Sequence, residues 1–297
     1  MFPTHGVEAE DLVARADAAM YQAKARGKNT WAVYNPDQDD SDAILRRMSW
    51  SHRIAEALEH DAFELHFQGV YQAADCSLRH LEALVRMRDA NHPDTVLMPG
   101  QFIPVAEKTG QILAIDRWVV KNVVKLLAER PDVPAIAVNL SGRSVDDPQL
   151  PRFIAETLKQ SGVEPGRLVV ELTETAAVTE MQDAQRLIEQ LQRAGCVVCL
   201  DDFGSGFATF GYLKYLAVDI LKIDGMFIRD LTNNPENQVF VRAIIDVARG
   251  LGKKTVAEFV EDAASLSMLR DLKVDLVQGY HLDRPSPDHP ALRKYVY

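Results

Sequence analysis

Cysteine is scarce in this sequence. Among 297 residues there are three, Cys76, Cys196 and Cys199. So few thiols fit a reducing compartment in which they stay unpaired. Cys196 and Cys199 have C-x-x-C spacing, but they lie in the apolar run GCVVCLDD. Residues three apart on a strand point to opposite faces, so these thiols cannot share a metal or a disulfide without bending the chain. A redox C-x-x-C opens a helix instead, and no second C-x-x-C or paired His supplies further zinc ligands. Long hydrophobic runs are also missing. No stretch of about 18 apolar residues exists, so no membrane contact is expected. The opening MFPTHGVEAED lacks the basic and apolar regions of a signal peptide. A cytoplasmic location is expected, although a longer parent protein could be membrane anchored. Positive charge is in deficit, 33 Lys and Arg against 43 Asp and Glu, for a net charge of −10. That balance disfavours a nucleic-acid coat protein, and no DNA or RNA partner is expected. The remaining composition, 47% apolar and 26% charged, is ordinary for a globular chain.

Apolar periodicity in residues 6–26 predicts a helix, closed by Gly27 and followed by a short strand over 28–34. A helix and one strand cannot enclose a core, so residues 1–35 read as the severed end of another domain. The polar run NPDQDDSDA begins a linker over residues 36–44. A different rhythm occupies residues 45–297. Strands are predicted at 63–70, 79–87, 134–140, 167–173, 195–201, 218–223, 253–258 and 274–279. Several are continuous apolar runs, as in strands covered on both faces. Helices are predicted at 113–129, 149–161, 178–194, 236–250 and 261–271. Eight strands with intervening helices over roughly 250 residues predict an α/β fold, the (β/α)8 barrel. The rival, an open doubly wound sheet, would carry a G-x-G-x-x-G turn that is absent. Strands 63–70 and 79–87 are too close in sequence for a helical crossover. They should form a hairpin, with one strand reversed and Gln68 near Glu82. Which strand is reversed is not decided by this spacing.

Most of these strands carry a polar residue toward their C-terminal ends: Glu82, Asn139, Glu171, Asp201 with Asp202, Lys222, Glu258 and Gln278. Barrel enzymes present their chemistry at that rim. Adjacent carboxylates at Asp201 and Asp202 repel unless a cation lies beside them, although aspartates also cap loops. Glu171 ends an apolar strand, where an unpaired carboxylate is costly. Glu174 lies just beyond, placed either to cap or to brace the following glycine loop. Asn139 offers an amide oxygen suited to Mg²⁺ or Mn²⁺, or forms a turn. Lys222 needs an anionic partner and could hold a water or stabilise phosphate charge. Glu258 and Gln278 are equally readable as solvated loop residues. Together the set predicts metal-assisted hydrolysis of a phosphate ester.

The same residues resemble the EAL domains. Glu82-Ala83-Leu84 is the naming tripeptide, in LEALVR. The match continues through FIPVAEKTG, VNLSGRSV, VELTE, DDFGSGF, YLKYLAVDILKIDGMFI, TVAEFVE and QGYHLDRP. The resemblance implies a modified TIM-type barrel with one antiparallel strand. It also implies a phosphodiesterase that linearises cyclic di-GMP to pGpG with Mg²⁺ or Mn²⁺; Ca²⁺, larger and looser in its coordination, is expected to inhibit. By motif, Glu82, Asn139, Glu171, Asp201, Asp202 and Glu258 resemble the metal-site residues. Lys222 resembles the residue that orients the attacking water, with Glu82 and Glu258 also at the reacting centre. Gln68 and Arg86 resemble substrate contacts, the guanidinium being suited to a phosphate fork. Asp224 and Gln278 resemble positions near substrate or water, and Glu174 resembles the glutamate that braces the DDFG loop. Family members use that rim loop for dimerisation, so a homodimer is expected. Residues 11–35 resemble the last helix and strand of a GGDEF domain, without its motif. Two positions depart from the family pattern, Gly69 where proline is usual and Phe259 where glycine is frequent. Every ligand motif is intact, which favours an enzyme over a non-catalytic cyclic di-GMP receptor or a regulatory dimerisation module.

Overall fold

Alternate residues of a strand face one side of its sheet, and this chain uses that period to line the inside of a barrel. The computed structural model describes residues 41–89, 95–205 and 210–293. Its strands are Phe63–Gln72 (β1), Leu78–Arg88 (β2), Val96–Leu97 (β3), Ala135–Leu140 (β4), Leu168–Thr173 (β5), Val197–Phe203 (β6), Ile220–Ile223 (β7), Lys254–Ala257 (β8) and Leu276–Val277 (β9). They run in the order β1-β9-β8-β7-β6-β5-β4-β2, and β1 pairs with β2 to close the circle. β3 adds only to the edge of β2, through Met87 and Leu97. From β2 through β9, neighbours around the barrel are parallel. β1 is antiparallel to both of its neighbours. The hairpin therefore exists as expected, and β1 is the reversed strand. Gln68 stands directly opposite Glu82 in its register.

The inside of the barrel is built in layers. Val70, Ala137, Val169, Cys199, Ile220, Val256 and Leu276 form one buried apolar cluster. Two residues further along the same faces stand Asn139, Glu171, Asp201, Lys222, Glu258 and Gln278. On β1 the order is inverted, Gln68 preceding Val70, because that strand runs the other way. On β2 the residue below Glu82 is His80, only 4% exposed. Burial, with the nearby Lys222 charge, pushes its imidazole down to about 4, so it sits neutral in the core. Cys199 belongs to the apolar layer, and Cys196 is buried immediately before β6. Burial raises both thiols, Cys196 to about 11.

Helices cover the outside. Ile112–Glu129 buries Ile115, Val119, Val123 and Leu127, a stripe at helical spacing. Leu150–Ser161, Pro235–Gly250 and Ala263–Asp271 lie close to the predicted bounds. The helix expected over 178–194 is instead two, Glu174–Thr179 and Met181–Ala194, separated where Glu180 leaves helical geometry. Pro99–Thr109 is a further helix that the periodicity did not predict. Pro99 opens its first turn, where proline costs nothing, and Gly110 ends it in the left-handed region at φ 78°.

The chain divides into two units, Met1–Ala55 and Glu56–Tyr297. The helix Ser41–Glu59 begins inside the stretch expected to be linker. Residues 1–40, with the helix and strand predicted there, lie outside the described residues. Among the described residues no helix is long and apolar enough to cross a membrane.

Candidate active site

Lys222 is the centre of the polar layer. β7 carries it inward between the buried Leu221 and Ile223, and it is 1% exposed. Its Nζ lies 2.8 Å from Glu258, 3.0 Å from Glu171, 3.2 Å from Asp201 and 3.4 Å from Glu82. Burial opposes the ammonium, but these four carboxylates outweigh it and hold its pKa well above the usual lysine value. One ammonium cannot balance four carboxylates, so the acids divide. Burial works against charge on Glu82 too. Lys222 and hydrogen bonds from Gln278 and Asn139 nevertheless keep it below the ordinary carboxylate range. Glu171 goes the other way, raised by burial and by its acidic neighbours. Burial, then Asp201 and Glu82, push Glu258 up to about 8. Asp202, beside Asp201, is pushed up to about 6 by partial burial and that neighbouring charge.

The amides organise the acids. Asn139 Nδ2 donates to Glu82 Oε1 at 2.7 Å, and Gln278 Nε2 donates to Glu82 Oε2 at 2.6 Å. Gln278 Nε2 also reaches Gln68 Oε1 at 3.2 Å. Ser141, just after Asn139, is fixed from outside the barrel. Its N–H donates to Asp116 at 3.0 Å and its hydroxyl to Glu107 at 2.8 Å. Asp116 and Glu107 are supporting residues that the strand pattern did not reveal, since both sit on helices.

A cavity of about 220 Å³ opens beside this layer, walled by Gln68, Glu82, Arg86, Glu258, Phe259, Gln278 and Tyr280. Arg86 is 5% exposed and donates to its own strand at the Val85 carbonyl. Among the described residues no carboxylate pairs with its guanidinium. A buried cation facing a cavity without a counter-ion is suited to an anionic ligand. Phe259 adopts φ 51°, and its ring occupies space that a side chain at Gly225 would fill, 2.1 Å from a Cβ placed there. Arg229 lies over that ring at 4.2 Å. Asp224 lies close enough to Asp202 for its charge to help raise that carboxyl. Its Oδ1 accepts from the Met226 N–H at 2.7 Å and caps the short helix Gly225–Ile228. Glu174, 2% exposed, accepts from the Gly204 N–H at 2.7 Å and from the Tyr212 hydroxyl.

The donor set suits a divalent cation. Four carboxyl groups face the single Lys222 ammonium. Glu171 Oε1 is buried without a hydrogen-bond partner among the described residues. Carboxylate atoms of Asp201, Asp202 and Glu258 lie within 4.8 Å of one another. Hard oxygen donors, surplus negative charge and an orphaned carboxylate oxygen fit Mg²⁺ or Mn²⁺ chemistry.

The chain is similar in sequence and fold to known proteins. The EAL domain family pattern matches residues 51–285. Over 287 residues the chain is 33% identical to the cyclic di-GMP phosphodiesterase PdeB of Shewanella oneidensis, covering 95% of this chain and 33% of that protein. It is 33% identical to the bifunctional diguanylate cyclase/cyclic di-GMP phosphodiesterase MucR of Pseudomonas aeruginosa, covering 98% and 43%. The chain thus spans less than half of these relatives. Among solved structures, the cyclic di-GMP complex of the PaMucR phosphodiesterase superposes with a TM-score of 0.76 at 34% identity, covering 82% of this chain and 99% of that one. The Pseudomonas aeruginosa FimX EAL domain bound to cyclic di-GMP gives 0.75 at 32% identity, covering 80% and 96%. A barrel with one reversed strand, this inward polar layer and a family match over most of its length place the chain in the EAL domain family.

Proposed function

We propose that this chain hydrolyses cyclic di-GMP to linear pGpG as a cation-dependent phosphodiesterase. The observation that carries the reading is one buried ammonium, Lys222, among four carboxylates beside an Arg86-lined cavity. Glu82, Asn139, Glu171, Asp201, Asp202 and Glu258 would hold Mg²⁺ or Mn²⁺, which supplies Lewis-acid polarisation of phosphoryl oxygen and acidifies a bound water. Lys222 donates to the attacking water and fixes its direction, since its position is set from four sides. Arg86 takes phosphate oxygens, and Gln68 with Gln278 hold the substrate against the Glu82 side of the cavity. Glu174 ties the loop after Asp202 to Tyr212 and so keeps Asp202 in place. Ca²⁺, larger and looser in its coordination, should inhibit; equal rates in Ca²⁺ and Mg²⁺ would contradict that expectation.

The same reading makes residues 1–35 the end of a cyclase-type GGDEF domain, gives a cytoplasmic setting, and includes a homodimer through the loop after Asp202. The decisive experiment incubates the purified chain with cyclic di-GMP and Mg²⁺ or Mn²⁺, with and without EDTA, and separates the products by chromatography. Cation-dependent pGpG supports the enzyme. Saturable binding without product would make the chain a receptor.

A further inference from the structure

The segment after β9 folds back along the reversed strand. Phe67 and Ser286 exchange backbone hydrogen bonds at 2.9 and 3.0 Å, an antiparallel bridge beyond the barrel. Asp283, three residues earlier, faces three donors with one carboxylate. They are the Gly69 N–H at 3.0 Å, the Tyr71 hydroxyl at 2.9 Å and His289 Nε2 at 2.6 Å. His289 is 3% exposed, and its Nδ1 accepts the Ala291 N–H at 3.1 Å. That assignment leaves Nε2 as the protonated donor. The main-chain carbonyl of Asp283 takes Gln68 Nε2 at 3.2 Å. From Gln68 the path continues through Gln278 to Glu82.

The residue types on this path are matched to one another. A Cβ at Gly69 would lie 2.4 Å from the Tyr71 ring. Proline there would also remove the N–H that Asp283 accepts. A carboxylate accepting three donors has no isostere in asparagine, whose amide nitrogen would meet one of those donors. Gly69, Tyr71, Asp283 and His289 thus form one built unit, and none of them touches the Lys222 cluster directly.

We propose that Asp283 is a positioning residue for the reaction: it clamps the returning segment onto β1 so that its own carbonyl fixes the Gln68 carboxamide and, through Gln278, the orientation of Glu82. This inference rests on the phosphodiesterase reading above. Its test is a double-mutant cycle on kcat/KM for cyclic di-GMP with Mg²⁺, using Asp283→Ala and Gln68→Ala. Outer hydrogen-bonding partners of metal ligands typically cost about tenfold or more when lost. Asp283→Ala should therefore lower kcat/KM about tenfold, and Tyr71→Phe about twofold to threefold. In the Gln68→Ala background, Asp283→Ala should cost less than about twofold, because the path is already cut. Equal factors in both backgrounds would mean a merely structural role and overturn the proposal, as would an Asp283→Ala rate within twofold of the parent. Should Asp283→Ala not fold, Tyr71→Phe runs the same cycle with its smaller factor. A second readout does not depend on turnover. The side-chain amide resonances of Gln68 and Gln278 should both move in ¹⁵N-labelled Asp283→Ala or Tyr71→Phe protein. Unmoved resonances overturn the proposal, whereas a parent chain that neither binds nor cleaves cyclic di-GMP overturns only the phosphodiesterase reading.

Discussion

Asp201 Oδ1 lies 3.2 Å from Lys222 and also accepts the Asp202 N–H at 3.0 Å. Asparagine keeps the shape and removes the charge, so Asp201→Asn separates cation binding from packing. Loss of one anionic ligand should lower cyclic di-GMP hydrolysis by on the order of a hundredfold or more. Residual turnover within a few-fold of the parent would remove Asp201 from the ligand set. Asp116 gives a prediction about pH. Burial raises its carboxyl from 3.8 to about 6, with Glu107 pushing the same way and Ser144, Ser141 and Arg117 pulling back. A raised carboxyl binds its proton more tightly in the folded state than in the unfolded one. Its contribution to stability is full below pH 3.8 and is lost as pH rises through about 6. The stability of the parent relative to Asp116→Asn should fall by up to about 3 kcal/mol across that window. Denaturant titrations at pH 4 and pH 7 measure it, and a pH-independent difference would contradict the assignment. Within the polar layer Glu171 stood out, because a carboxylate ending an apolar strand is costly without a partner, whereas Asn139, Glu258 and Gln278 were equally readable as turn or loop residues. The Asp283 unit was not readable. Tyr71 and Asp283 are 212 positions apart, and nothing local marks either residue.

At the scale of elements, the strands were legible from apolar runs and the hairpin from its short connection. The direction of β1 was not. It is written in the order of two inward residues, Gln68 before Val70, whereas β4 places Ala137 before Asn139. Reading that order requires knowing which face is inside, and a sequence alone leaves the face open. The helix Pro99–Thr109 was hidden by Pro99, Gly100 and Pro104, which read as breakers when position within the helix is ignored. Glu174 belongs to this scale, because it joins the end of β6 to the turn Phe210–Lys214. Glu174→Ala should leave both elements formed while freeing Asp202. We expect kcat to fall about tenfold, with the melting temperature shifting by no more than about 4 °C. A rate unchanged from the parent would mean that Asp202 is held without the brace.

For the whole molecule, the family match begins at residue 51, and the barrel strands begin at Phe63. A chain lacking residues 1–40 should therefore hydrolyse cyclic di-GMP within about twofold of the parent rate. A loss of tenfold or more would show that those residues support the barrel. The net charge of −10 was legible as a total. The gathering of acids at one rim was legible too, but the contact of four carboxylates with the single Lys222 ammonium came from the packing of distant strands.

The reversal of β1 also decides where the polypeptide arrives. A barrel whose first strand is parallel to the rest receives its chain at the floor, away from the chemistry. Here Phe63 lies opposite Met87, near the C-terminal end of β2, so the chain arrives at the end of the barrel toward which the parallel strands point. Only five positions separate that arrival from Gln68. Tension on the chain ahead of Phe63 would load β1 in shear, against ladders on both sides. The load would enter β1 at Phe63, the end of that strand paired with the C-terminal end of β2.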